Sequence, residues 1–145
     1  MVSGNNSGIS ATTTTEQAIT SPTWPARDRD GGTTGLGVLI GIEVSTATTN
    51  AGAISNMTIR YTNPGGTGSR TGTVNAATSF PATAVAGTFV PFMLAAGDTG
   101  VKSVEGLTLG TSLVSGTVHL VAFRMIAIAH SDILGSGDQP QGTMV

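Results

Sequence analysis

Cysteine is absent and Lys102 is the only lysine. The first absence removes disulfides, thiolate nucleophiles and sulfur-rich zinc sites together. Charged residues of both signs make up only 10% of the chain, against roughly 25% in an ordinary soluble domain. The cations are scattered and the net charge is −2, so the basic footprint of a nucleic-acid binder is missing. No run of about 18 apolar residues is present to suit a membrane span, and residues 1–25 contain no apolar core of a secretory signal. The expectation is a protein made in the cytoplasm, with neither nucleic acid nor membrane as partner. Helix formers such as Glu, Gln, Lys and Arg are scarce, and no long window shows helical periodicity.

What fills the space is Thr, Ser, Gly, Ala and Val, which gives an all-β chain with a weakly charged polar surface. Such a surface costs little to desolvate, because few charges need partners when it is covered. At 145 residues the chain is long enough for one domain with its own core. Residues 1–26 read as an extended N-terminal arm, 27–130 as the domain and 131–145 as a short tail. The segment has few apolar anchors, Ile9 and Ile19 among them, so it is either a disordered leader or an arm ordered on a neighbour, and its Thr12, Thr13, Thr14 and Thr15 favour extended backbone suited to such strand addition. Trp24, held extended between Pro22 and Pro25, is expected to clip the arm to the body.

Arg27, Asp28, Arg29 and Asp30 form the densest charge cluster. A calcium loop would need further oxygen ligands at fixed spacing, and residues 31–37, GGTTGLG, carry no carboxylate. A salt-bridged turn or interface is the better expectation. Strands follow at Leu36–Ser45, Ser55–Thr62, Ser69–Val74, Gly87–Leu94, Val101–Leu109 and Ser115–Ala129, with turns at Asn63–Gly68 and Ala95–Gly100. Ser69–Val74 is weakly apolar and reads as an edge. Pro91 places its strand at an edge or a bulge, and Glu105-Gly106 interrupts alternation as a bulge would. The first long strand puts Gly37, Gly41 and Glu43 on one face, where glycine admits a close approach. The spacing of short strands predicts a single β-sandwich, jelly-roll or immunoglobulin-like.

Ser115–Ala129 is apolar on both faces. Val118, Leu120, Ala122, Ile126 and Ile128 share one side, and His119, Val121, Phe123 and Met125 the other. The first set suits the core and the second a contact between subunits. Arg124 falls on the core side, so it must turn out or pair with an acid such as Glu43. His119 and His130 are the only histidines, and neither has a partner placed for metal or base chemistry. No serine lies in a nucleophile elbow and no glycine loop has phosphate-loop spacing. No enzyme activity, metal or cofactor is expected.

Arg27-Asp28-x-Asp30-Gly31, then GLGVLIGIEVSTAT, IRYTNPGGTGSRTGTV, FPATAVAGTFVPFMLAAGDTGVKSV and LTLGTSLVSGTVHLVAFRMIA together resemble tailed-bacteriophage structural proteins. The resemblance covers Arg27 to Ala129. It implies a virion component and not a specific position in the virion. A small domain with loose ends fits a capsid decoration (cement) protein on the outer capsid, forming a homo-oligomer such as a trimer and seated on the major capsid protein. A tail or head-fibre subunit is the nearer alternative. A carbohydrate-binding module is the more distant one, and would require Trp24 and Tyr61 as an exposed platform.

Overall fold

The computed structural model describes residues 9–74 and 79–125. The expectations for Ile126, Ile128, His130 and the tail 131–145 lie outside the described residues. Seven antiparallel strands follow one another: β1 (Glu16–Ala18), β2 (Val38–Thr46), β3 (Thr58–Thr62), β4 (Arg70–Val74), β5 (Phe89–Met93), β6 (Ser103–Thr108) and β7 (Thr117–Arg124). Among the described residues there is no helix, and so none long and apolar enough to cross a membrane. The all-β class is therefore observed.

The strands form a curled sheet in the order β1-β6-β3-β4-β5-β2-β7. Alternation explains the curl. Ile40, Ile42 and Val44 of β2, Ile59 and Tyr61 of β3, Phe92 of β5, Leu107 of β6 and Val118 and Leu120 of β7 all bury their side chains in one cluster. Every strand from β2 to β7 thus turns one apolar face inward, and burial of these faces is the main driving force for the fold. Phe80, brought in by a bridge between Ile54 and Phe80, is fully buried in the same cluster.

Two edge expectations are corrected. β5 is flanked by β4 and β2, so Pro91 is not on an edge strand. Phe89, Val90 and Pro91 pair with β2, whereas Phe92 and Met93 pair with β4. β5 changes partner beside its proline, and the missing N–H falls where the ladder on one side has ended. β4 likewise is interior to the order, but only Thr73 and Val74 reach β5. Its weakly apolar first half is paired with β3 alone. The interruption at Glu105 is a bulge: the β3–β6 register passes from Arg60↔Gly106 to Tyr61↔Val104.

The arm is corrected more substantially. Its strand is Glu16–Ala18, after the threonine run, and it pairs antiparallel with Gly106–Thr108 of its own chain. The neighbour's edge imagined from the sequence is β6 of the same molecule. Gly110 and Leu113 donate backbone hydrogen bonds to the carbonyls of Thr14 and Ala11, and Ile9, Ala11 and Ile19 pack on the core. These contacts supply the apolar burial that the arm's composition lacks by itself. Beyond Ile19 the chain runs to Trp24, where Ser21, Pro22 and Trp24 face Ile40, Val104, Leu120 and Ala122 across a cavity of only about 10 Å³. The arm therefore supplies β1, one end of the curled sheet, and its later residues pack between β6 and β7, the strand at the other end.

Candidate interaction surface

The side of β2, β5 and β7 turned away from the core carries Leu39, Gly41 and Glu43, Phe89 and Pro91, and His119, Val121, Phe123 and Met125. Register aligns Leu39 with Phe123, Gly41 with Val121 and with Pro91, and Glu43 with His119 and with Phe89. The Phe89 ring occupies the gap left by Gly41, where a Cβ would lie 2.2 Å from the ring. Phe89 and Phe123 then meet edge to face, with centroids 5.2 Å apart and planes at 81°, a favoured aromatic geometry. Val121 is only 3% exposed although it stands outside the main core cluster. A second, smaller apolar cluster therefore exists on the outer side.

This cluster remains open to solvent. Phe89, Met93 and Met125 are 42%, 54% and 57% exposed. The structure thus brings four residues singled out from the sequence, His119, Val121, Phe123 and Met125, onto one face. Leu39, Phe89 and Met93 complete it and were missed. The alternation of Phe89, Pro91 and Met93 against Val90 and Phe92 was the signal available for two of them.

The remaining candidates sit elsewhere. Trp24 is buried at 7% on the inner side of β7, and its Nε1 donates to the Val101 carbonyl at 2.7 Å. Tyr61 is fully buried, so the aromatic platform required by a carbohydrate-binding module is absent from this pair. Thr12, Thr14 and Thr15 are exposed and Thr13 and Ile19 half-buried along the docked arm. The Gln17 side chain ties that segment together, accepting from Ser10 N–H and donating to the Ser10 and Thr13 carbonyls.

Within the charge cluster, Arg27 and Arg29 are exposed, and Arg29 pairs with Asp30 at 3.3 Å in solvent. Such a pair contributes little. Asp28 differs, being only 2% exposed. Its carboxylate accepts from the N–H groups of Asp30, Gly32, Thr34 and Gly35 and from the Thr34 hydroxyl, at 2.5–3.2 Å. Both oxygens are filled by donors, so Asp28 takes no part in the ion pairing of the cluster, which rests on Arg29 and Asp30, and its loop is wrapped around its own carboxylate. Burial pushes the Asp28 pKa up, but these hydrogen bonds outweigh it and hold the group below the usual carboxylate range. Arg124 turns outward and donates to the Asp28 carbonyl at 2.9 Å rather than pairing with Glu43. No three His, Asp or Glu side chains come together as a ligand set among the described residues.

Two further polar networks fasten the body. Asp98 accepts from Tyr61 Oη (2.5 Å), Asn63 Nδ2 (2.9 Å) and Arg70 Nε (2.8 Å). The Arg70 hydrogen bond, followed by those of Tyr61 and Asn63, lowers its pKa from the usual 3.8 to about 2. Desolvation, with the Asp98 hydrogen bond, raises the Tyr61 pKa. In the second network Arg60 grips both oxygens of Glu16 and also reaches Glu105 at 2.7 Å, linking arm to body. The Arg60 bond lowers the Glu16 pKa, and the Thr62 hydroxyl is the main cause of the lowered Glu105 pKa.

All four carboxylates are thus more acidic folded than unfolded. The stability they contribute is complete above the unfolded values and is lost as pH falls through the folded ones. The expected melting temperature is flat above about pH 5 and falls steadily from about pH 4.5 towards pH 2. Asp98→Asn is expected to melt lower at pH 7 and to lose less on acidification, which a pH series of thermal melts measures. Parallel curves for wild type and variant would remove Asp98 from this account.

Comparison with protein-family models, curated proteins and solved structures returns no match.

Proposed function

We propose that this chain is a non-enzymatic structural protein of a tailed-bacteriophage virion, and within that class a capsid decoration protein. It acts as a homo-oligomer on the outer capsid, with the major capsid protein as partner. The fold in this reading is a β-sandwich, with β5-β2-β7 as one layer and β1-β6-β3-β4 as the other. The resemblance over Arg27 to Ala129 motivates the class. The observation that carries the assembly role is the open apolar face of Phe89, Phe123 and Met125 on a layer whose other face already fills the core. An exposed apolar patch of this kind marks an interaction site. The Thr, Ser and Gly surface around it adds little desolvation cost when covered.

Mass-spectrometric counting of the protein in purified particles tests the reading. Decoration requires a copy number comparable to that of the major capsid protein. A handful of copies per particle overturns it and assigns the chain to a tail or head fibre.

A further inference from the structure

We propose that residues 9–19 are a hinged strap, latched by Arg60, that closes over the edge of β6 and opens from it as one unit about residues 20–23 while Trp24 keeps its seat. The device goes beyond the virion reading and does not depend on it.

Burial divides the arm in two. Trp24 is 7% exposed and donates through Nε1 to the Val101 carbonyl, yet none of residues 9–23 is buried. Residues 20–23 separate the two parts. They include Pro22, belong to no strand or helix, and make no hydrogen bond with another described residue. Rotation there gives up no hydrogen bond, whereas movement at Trp24 would expose a large aromatic side chain and break its bond to Val101. The hinge therefore lies before the tryptophan.

The strap is tied to itself. The Gln17 side chain accepts from the Ser10 N–H at 2.7 Å and donates to the Ser10 and Thr13 carbonyls at 3.0 and 3.3 Å, so one side chain joins its first half to β1. Its hold on the body is slighter. β1 pairs with β6 over three positions. Backbone bonds run from Ile19 N–H to the Glu105 carbonyl, from Gly110 N–H to that of Thr14 and from Leu113 N–H to that of Ala11. Arg60 adds two bonds to Glu16 across Gly106, where a Cβ would lie 2.8 Å from the Glu16 carboxyl carbon. These two side chains are 38% and 43% exposed, and Ile9, Ala11 and Ile19 are only partly buried. Little apolar burial and hydrogen bonds close to solvent define a unit that opens at low cost, and the Gln17 bonds make its parts leave together.

Opening has a structural consequence. β6 is paired with β3 on its other side, so a departing β1 leaves positions 106–108 as a bare sheet edge, and Gly110 and Leu113 lose the acceptors of their N–H groups. Bare edges are where further strands add. The closed strap thus guards this edge, and its opening decides when the edge is free.

Hydrogen exchange of the full chain, followed residue by residue by NMR, tests the hinge. The N–H groups of Ile19, Gly110 and Leu113 are expected to share one protection factor, at least about tenfold below those of the Val101 amide and the Trp24 indole. Glu16→Lys, at an exposed position, is expected to lower all three together by about fivefold and to leave Val101 and the indole unchanged. Equal protection of strap and indole in the wild type overturns the proposal, because the arm then opens only together with Trp24. Protection graded along the strap, weakest at Leu113 and strongest at Ile19, means fraying from one end and overturns it as well. A Glu16→Lys effect confined to Ile19, or absent from all three, removes Arg60 as the latch of a single unit and counts equally against it.

Discussion

Gly35→Ala is expected to cost about 3 kcal/mol or more, among the largest effects available to a single methyl group in this chain. The φ of Gly35 is +83°, where an L-residue is strained by roughly 1–2 kcal/mol. The larger part is steric. A Cβ there would lie 2.0 Å from the carbonyl oxygen of Val101 and 2.5 Å from its carbon. These are backbone atoms and cannot rotate away. Gly100 on the facing segment is equally tight, with the Gly35 carbonyl oxygen 2.1 Å from where its own Cβ would stand. Two glycines thus permit a backbone crossing sealed by the bridge between Leu36 and Gly100. Three clamps meet at the crossing: Gly35 N–H donates to Asp28, Val101 carbonyl accepts from Trp24, and Val101 N–H donates to Val38. Forcing the segments apart strains all three. Urea denaturation measures the loss. Gly52→Ala, where a Cβ meets nothing within 4 Å, serves as control and is expected to stay within about 0.5 kcal/mol of wild type. Equal midpoints for the two variants would mean that the crossing is not closed as described.

The strands with the strongest period-two pattern were legible from the sequence for a physical reason. In β2 and β7, Ile40, Ile42, Val44, Val118 and Leu120 repeat every second position because one face of each strand must be buried. The bulge at Glu105 was legible for the same reason, as a break in that repeat. The arm's destination was not. Threonine-rich chain reports that it can extend, whereas the identity of the strand it joins depends on which edge lies within reach and on Arg60 meeting Glu16 across 44 positions. Pro91 misled in a related way. Its missing N–H excludes a fully paired position, but a strand that changes partners midway satisfies that condition as well as an edge does.

The outer face was half legible. The apolar side of β7 opposite the core was visible in His119, Val121, Phe123 and Met125, and Gly41 marked a place of close approach. That Phe89 fills the place could not be read, because it requires the β2–β5 register that sets Glu43 against Phe89. Asp28 illustrates the opposite error. Its neighbours Arg27 and Arg29 imply ion pairs, but five hydrogen-bond donors of its own loop reach it first. A buried carboxylate is held more strongly by fixed amide donors than by exposed, solvated guanidinium groups.

Trp24→Ala is expected to lose about 3–5 kcal/mol, the range for removing a large buried aromatic side chain. The indole fills the space between the arm and Ile40, Val104, Leu120 and Ala122, and no nearby side chain can replace its volume without moving β7 or β6. Its loss also leaves the Val101 carbonyl without the Nε1 donor that reaches it at 2.7 Å. Trp24→Phe separates the two contributions: much of the packing stays, the hydrogen bond goes, and the expected cost falls to about 1–2 kcal/mol. The effect should be unevenly distributed through the molecule. Protection against hydrogen exchange is expected to fall at Ile19, Gly110 and Leu113, whose N–H groups join arm and body. Ile40 and Ile42, in the middle of β2, should stay protected up to the global unfolding limit of the variant. Uniform loss of protection would make the arm and body one cooperative unit. Undiminished protection at Ile19 would show that the Arg60–Glu16 contact and β1 pairing hold the arm without the tryptophan. The expected selective loss instead identifies Trp24 as the clip that keeps a weakly apolar segment on its own body, and a released segment would carry an unpaired β1 able to seek the same β6 edge on another copy.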